Sequence, residues 1–364
     1  MVTTSAHPRL IALATASPVQ VLRQSDVQGL VQGLFAETLG QAPALLQVFD
    51  HAQIDARQVC VPLAWFEEPH TFGEKNDRYI VEAQRLACEA GLKALDQAGL
   101  TGADIDHVVF VSSTGIATPS IDARIAGRMG FRADVRRTPI WGLGCAGGVA
   151  GLARSAEIAQ ADPRARVLFI ALELCSLTFQ RSDTSKRNLI AASLFADGAA
   201  AAIIAGAQVE AATHDPQPAL RIVASGSTLW GDSVDVMGWE VDGEGLHVVF
   251  SRDIPSIVRD QLRPSLLGFL DARGLSLSDI AHLVVHPGGA KVLRAYADAL
   301  ECEPRRFDHA RDVLREHGNM SSPSCLFVLE RFLASREIGP GERALMTALG
   351  PGFCAELVLL ERAA

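Results

Sequence analysis

Apolar and polar residues fall along this chain in blocks that predict strands and helices in turn. The run Leu10-Ile11-Ala12-Leu13-Ala14 reads as a buried strand ending at Thr15-Ala16-Ser17-Pro18. Following Arg9, it also imitates a signal peptide with a small-residue cleavage site, but its apolar region is short and favours the strand. Gln24 to Leu39 has helical periodicity, weakened by Gly29 and Gly33 and stopped by Gly40, and Ala44 to Phe49 predicts a short helix. The stretch from Ile54 to Gly73 reads as irregular surface structure. Arg78 to Ala98 is an amphipathic helix closed by Gly99. Ile105 to Val111 predicts a strand with a polar turn, Ser112-Ser113-Thr114-Gly115, at its end. Arg124 to Met129 is a short helix, and Pro139-Ile140-Trp141 leads into a helix of small residues that stops near Asp162-Pro163. Val167 to Leu174, interrupted only by Glu173, and Ala199 to Ile204 read as buried strands. Near-continuous apolar strands alternating with helices indicate an α/β protein with its sheets covered on both faces.

The pattern then repeats. Each residue of Ala98–Val109 has a counterpart 175 positions later in Arg273–Val284, and each copy leaves a helix to enter a strand. The same offset carries Cys145 onto Met320, beside Asn319, ahead of an apolar helical run from Ser324 to Ala334. Ala344–Leu349 and Ala355–Leu360 pair with the strands at Val167 and Ala199, and Leu220–Ala224 pairs with the opening strand. This is a duplicated α/β unit with halves at 1–213 and 214–364, and its period is too long for a solenoid. Two helix starts can then face each other across a pseudo-twofold axis.

Length and charge narrow the function classes. At 364 residues the chain can hold two fused units of similar size, and its net charge of −9 argues against nucleic acid or an anionic membrane as main partner. No apolar run approaches the roughly 18 residues of a membrane span. The seven cysteines are scattered without a C-x-x-C pair, which excludes common zinc and secreted-disulfide patterns and fits a reducing cytoplasm.

Chemistry concentrates where the repeat places it. Cys145 lies among glycines at or just before a helix N-terminus, where unpaired N–H groups and the macrodipole favour a thiolate. A small buried residue in a tightly packed helix is the rival reading. His286 stands at a strand end in His286-Pro287-Gly288-Gly289, and Asn319 precedes its helix in Gly318-Asn319-Met320-Ser321-Ser322. Cys, His and Asn suit decarboxylative carbon–carbon bond formation. A thiolate takes an acyl group, and imidazole and amide N–H groups stabilise the enolate left when carbon dioxide departs. Before acylation, an imidazolium beside the sulfur would hold the thiolate as an ion pair.

With Leu194-Phe195-Ala196-Asp197-Gly198 and Leu349-Gly350-Pro351-Gly352, these motifs in this order resemble the type III polyketide synthases, the chalcone synthase superfamily. The resemblance covers nearly the whole chain. It implies a thiolase-like fold of two α/β halves in five layers, α-β-α-β-α, and a homodimer. It implies an acyl-CoA starter and malonyl-CoA as substrates, with no cofactor. Cys145 would carry the acyl chain, and His286 and Asn319 would drive decarboxylation. Phe195 matches a gatekeeper between coenzyme A tunnel and cavity. Ser113, Glu173, Cys175, Thr178 and Ser321 match cavity-lining positions, and Gly350, Pro351 and Gly352 shape the cyclisation side. Arg57, Gly288, Gly289 and Lys291 fall where the family holds coenzyme A. For Arg57 and Lys291, a solvated surface charge is the competing reading.

Departures from the plant enzymes concern the cavity. Val248 stands at a second gatekeeper position where those enzymes carry phenylalanine. Thr118 replaces a methionine that reaches into the partner's cavity, and Leu349 replaces a phenylalanine before the Gly-Pro-Gly turn. Smaller groups imply a reshaped cavity opened toward an alkyl tunnel, as in bacterial members that make alkylpyrones or alkylresorcinols from fatty acyl-CoA. Three other readings compete. An initiating ketoacyl-carrier-protein synthase shares the triad but typically lacks the Gly-Pro-Gly proline. A thiolase would need a second active cysteine, and Cys354 lacks its Cys-x-Gly context. A catalytically inactive binding scaffold is the alternative of another class.

Overall fold

The computed structural model describes residues 7–210, 220–251 and 253–363. The half boundary expected at 213 and 214 lies outside them. The chain opens with strand β1 (Arg9–Ala16), strand β2 (Gln20–Arg23) and helices α1 (Gln24–Leu34), α2 (Ala36–Gln41) and α3 (Gln47–Ala52). Strand β3 (Ala56–Val59), helix α4 (Phe72–Ala98), strand β4 (His107–Val111), helix α5 (Ile121–Met129) and strand β5 (Arg136–Ile140) follow. Helix α6 (Gly147–Ala161), strand β6 (Arg166–Leu174), helix α7 (Lys186–Leu194) and strand β7 (Asp197–Ala205) complete the first half. The second half starts with strands β8 (Leu220–Leu229), β9 (Met237–Val241) and β10 (Leu246–Phe250), then helices α8 (Ile254–Ile257) and α9 (Arg263–Asp271). It ends with strand β11 (His282–Val285), helices α10 (Ala290–Leu300), α11 (Asp308–His317) and α12 (Ser322–Ser335), and strands β12 (Arg343–Gly350) and β13 (Cys354–Arg362).

One nine-stranded mixed sheet runs β11-β12-β13-β8-β1-β7-β6-β4-β5. Apart from the extra edge strand β5, its order is mirrored about the β1/β8 contact, where Arg9 pairs Arg221 and Leu10 pairs Leu220. On either side an outer parallel pair (β4/β6, β11/β12) joins two antiparallel pairings. The duplication legible at 175 residues is therefore a structural one. Helices α6 and α12 cross each other between the halves, with α4 packed on β1, β6 and β7 outside. Gly148 marks how closely they cross, because a Cβ there would lie 2.2 Å from the Ser322 carbonyl oxygen. The apolar core divides into two large clusters, one around β1, α4 and β7 and one around α6, α12 and β13.

Some elements differ from expectation. Helix α4 begins at Phe72, six residues before the predicted Arg78, because Thr71 and Glu74 form a reciprocal capping box. Part of the stretch read as irregular is β3, paired antiparallel with β2, so Arg57 lies in a strand facing the interior. No helix among the described residues is long and apolar enough to cross a membrane.

Candidate active site

The site forms where the two central helices start. Cys145 occupies a short 3-10 turn, Gly144–Ala146, immediately before α6. Its loop is tied from one side by Ser113, whose Oγ accepts from the N–H groups of Gly142 (3.3 Å) and Gly144 (3.2 Å). From the other side it rests on the Gly-Pro-Gly turn. A Cβ on Gly350 would lie 2.5 Å from the Leu143 oxygen, and one on Gly144 would meet the Pro351 ring at 2.8 Å. Small residues here are a steric requirement of bringing the turn against the nucleophile.

Asn319 approaches from the other half. Its backbone N–H donates to the Leu194 carbonyl (2.8 Å) and its carbonyl accepts from Ala196 N–H (3.0 Å), which sets it beside Phe195. The Ser321 N–H donates to Asn319 Oδ1 at 2.8 Å, so the amide NH2 is left as donor; it reaches the Gly288 carbonyl at 3.3 Å. Ser321 itself adopts φ +58°, an uncommon conformation for a serine, at the head of α12. The Gly288 carbonyl belongs to the loop that follows His286, and His286 N–H donates to the Thr347 carbonyl at 3.0 Å. Ser321 and Asn319 hydrogen-bond the Cys145 thiol, and Asn319 in turn reaches the loop that follows His286.

Electrostatics correct one expectation. The helix start does not win over burial. Desolvation pushes the Cys145 thiol up, to about 11, against hydrogen bonding from Ser321 and Asn319 that draws it down. Desolvation likewise lowers His286 to about 3. Burial therefore opposes both the thiolate and the imidazolium that the helix start and an ion pair would favour. Both His286 ring nitrogens are buried without a hydrogen-bond partner. Such orphans cost about 1–3 kcal/mol each, so a substrate oxygen or the thiol proton has an acceptor or donor waiting.

Glu173 is fully buried on β6 and links the halves. Its Oε2 accepts from Ser113 N–H (2.8 Å) and Thr114 Oγ1 (2.8 Å), and its Oε1 accepts from Ser322 Oγ (3.2 Å). Burial raises it to about 7, against the hydrogen bonds it accepts. Ser113 and Glu173 accordingly position the loop and helix heads behind the nucleophile, and the Thr178 hydroxyl is spent on the Cys175 carbonyl at 2.8 Å.

The gatekeeper region is more aromatic than the sequence reading implied. Phe195 packs on Trp239 (ring centroids 6.0 Å) and Phe250 (5.7 Å), with Cys175 and Val248 alongside. Trp239 and Phe250 restore the bulk missing at Val248. They come from the β9–β10 hairpin, whose register sets Val248 opposite Trp239.

Arg57 faces the interior, against the apolar cleft lined by Cys175, Thr178 and Phe195. It is 2% exposed, donates to the carbonyls of Ala192 (2.7 Å), Phe195 (2.9 Å) and Ser193 (2.7 Å) and to Gln24 Oε1, and burial lowers it to about 9. It holds the end of α7 and the Phe195 backbone in place. Thr118 and Lys291 are exposed; Lys291 and the two glycines before it line an open groove of about 340 Å3. Cys354 donates to the Pro351 carbonyl (3.5 Å), at the far side of the turn. Among the described residues no group of three His, Cys, Asp or Glu side chains is placed to hold a metal.

A buried cysteine, an orphaned histidine and an oriented asparagine between duplicated α/β halves fit the chemistry of a condensing acyltransferase of the thiolase fold. Comparison with known proteins narrows this. The chalcone and stilbene synthase N-terminal domain matches residues 2–208 and the C-terminal domain residues 221–363. A 1,3,6,8-tetrahydroxynaphthalene synthase of Streptomyces peucetius subsp. caesius is 40% identical over 349 residues, covering 96% of this chain and 92% of that protein. The alpha-pyrone synthesis polyketide synthase-like Pks18 of Mycobacterium tuberculosis is 29% identical, covering 96% and 90%. The crystal structure of 1,3,6,8-tetrahydroxynaphthalene synthase from Streptomyces coelicolor A3(2) superposes with a TM-score of 0.91 at 30% identity, covering 98% of this chain and 99% of that one. The chain belongs to the chalcone and stilbene synthase family and is a type III polyketide synthase.

Proposed function

We propose that this enzyme loads a fatty acyl group from its coenzyme A thioester onto Cys145, extends it with malonyl-CoA, and closes the product to an alkylpyrone or alkylresorcinol. One observation carries the choice of starter. Behind Cys175, Thr178 and Phe195 lies a narrow apolar cleft of about 50 Å3 that runs under α1 to Val27, Leu30 and Val31. Its apolar lining supports an acyl starter whose tail enters beside α1, away from the groove at Gly288 and Gly289, with neighbouring side chains moving to admit it. The name of the Mycobacterium tuberculosis relative supports a pyrone product.

The chemistry follows from the site. His286 takes the Cys145 proton as the sulfur attacks the starter carbonyl, and coenzyme A leaves as the thiol, carrying that proton away. A malonyl thioester then sets its carbonyl oxygen against the Asn319 NH2 and a His286 N–H. As carbon dioxide departs, the electron pair moves onto that oxygen, and the two donors stabilise the enolate in a site with little water. The enolate carbon attacks the acyl-cysteine carbonyl, and the Cys145 thiolate leaves. No cofactor is needed for these steps. The enzyme works in this reading as a homodimer in the cytoplasm. Exposed Ile116 and Trp141, on the same face as Thr118, are the surface offered to the second copy.

Purified enzyme given malonyl-CoA with acyl-CoA starters from two to sixteen carbons, read by product mass spectrometry, tests this. Long starters are expected to give pyrone or resorcinol masses, and Val31→Trp is expected to shift the profile to shorter tails. A second reading rests on the Streptomyces relatives: malonyl-CoA alone as starter, giving a naphthalene-type product. Products from malonyl-CoA alone, and none from long starters, would establish it instead.

A further inference from the structure

The groove at Gly288 and Gly289 has a wall that no expectation covered. Helix α7 turns Lys186, Ile190, Ser193 and Leu194 toward it, positions one helical face would share. The opposite wall is the start of α10, with Gly289, Ala290, Lys291 and Val292, and α3 closes a third side with His51. The inner end is the catalytic asparagine: Leu194 accepts from Asn319 N–H at 2.8 Å and Gly288 from Asn319 Nδ2 at 3.3 Å. Eight residues of α7 separate Leu194 from Lys186, which puts the lysine about 12 Å outward at 1.5 Å per residue.

The outer end is built for anions. In a chain of net charge −9, the groove lining contains Lys186, Lys291 and His51 and no Asp or Glu. Neither lysine makes an ion pair among the described residues. Asp183, the nearest acid in sequence to Lys186, is occupied by the Ser185 N–H at 2.8 Å. Helix α7 presents its positive N-terminal end at the outer end beside Lys186, and α10 presents its own further in, after Gly289. Arg57, the other cation expected to bind coenzyme A, is sealed in the interior.

Resting on the reading of this enzyme as a coenzyme A thioester user, we infer that Lys186 holds the phosphates of the coenzyme A moiety, facing Lys291 across the groove and filling the role expected of Arg57. The thioester end then lies inward at Asn319, with the pantetheine arm along α7.

Titration of free coenzyme A by calorimetry, with steady-state kinetics on malonyl-CoA, tests the assignment. Lys186→Ala is expected to weaken coenzyme A binding and raise KM for malonyl-CoA about fivefold, with Lys186→Glu worse and Lys186→Arg restoring it. The loss should shrink as salt is raised. It should vanish on a malonyl N-acetylcysteamine thioester, which has no phosphate, and Lys93→Ala, at an exposed position of α4 remote from the groove, should behave as wild type. Unchanged coenzyme A binding in both Lys186→Ala and Lys186→Glu overturns the assignment while leaving the substrate reading intact. So does an equal loss on the phosphate-free thioester. Wild-type enzyme that fails to bind coenzyme A at all overturns the substrate reading and the assignment together.

Discussion

Replacing Glu173 by glutamine should stabilise this protein at alkaline pH and leave it unchanged in acid. The carboxyl is fully buried and burial raises it from 4.5 to about 7. At about 1.36 kcal/mol per unit, ionising it costs about 3 kcal/mol more in the fold than in the unfolded chain. Because the folded value is the higher one, the stabilising contribution is complete below pH 4.5. It is lost progressively as pH climbs toward 7, and little changes beyond. Glutamine cannot ionise, so Glu173→Gln escapes that loss. Its carbonyl can keep the bonds from Ser113 N–H and Thr114 Oγ1, and the Ser322 hydroxyl can turn to accept from the new amide. Urea unfolding of both proteins at fixed concentration, at pH 4.5, 6 and 8, gives the assay. Subtracting one curve from the other cancels the titrating groups that do not interact with Glu173, and the neighbours that do, Cys145, Cys175 and Tyr79, are uncharged across this range because burial raises all three. The expected difference is near zero at pH 4.5 and rises to about 2–3 kcal/mol at pH 8. A difference that is constant across the three pH values would refute the claim that Glu173 is held protonated by burial.

Three other outcomes follow from the geometry. Asn319→Ala should cut product formation about 10²- to 10³-fold, as loss of one oxyanion donor does, while intact-mass spectrometry still detects acylated Cys145. If acylation fails equally, the asparagine is not specific to the enolate step. Iodoacetamide should label Cys145 slowly at pH 7 and about tenfold faster per unit of pH until the thiol titrates near 11; a pH-independent rate would mean a standing thiolate. Arg57→Ala should cost about 3–5 kcal/mol, since buried carbonyls at Ala192, Ser193 and Phe195 lose their donor. A soluble, normally melting Arg57→Ala enzyme with a raised KM for malonyl-CoA would return that residue to the ligand.

What the sequence disclosed and what it hid have separate physical causes. The 175-residue echo between Ala98–Val109 and Arg273–Val284 survives because both copies must bury the same strand and cap the same helix. It was enough to place Cys145, His286 and Asn319 at element ends. Arg57 was misread because a charged residue among polar neighbours looks exposed, and the carbonyls that bury it lie well over a hundred residues away on α7. The burial that opposes a thiolate at Cys145 is hidden for a related reason. A helix start is visible in sequence, whereas the desolvation that outweighs it depends on both halves closing over the sulfur. Trp239 and Phe250 escaped because the hairpin's pattern shows two faces without showing which one meets Phe195.

The backbone contact between Gly148 and Ser322 sets how this enzyme can vary. There is no side chain at that crossing to shorten or lengthen, so the spacing of sulfur and amide is set by peptide geometry and resists gradual adjustment. The walls formed by Thr178, Val248, Trp239 and α1 are ordinary side-chain surfaces and can be reshaped one residue at a time. Novelty in such a scaffold therefore arises at its periphery: what is accepted and how it is folded up can drift, while the bond-forming step stays as it is.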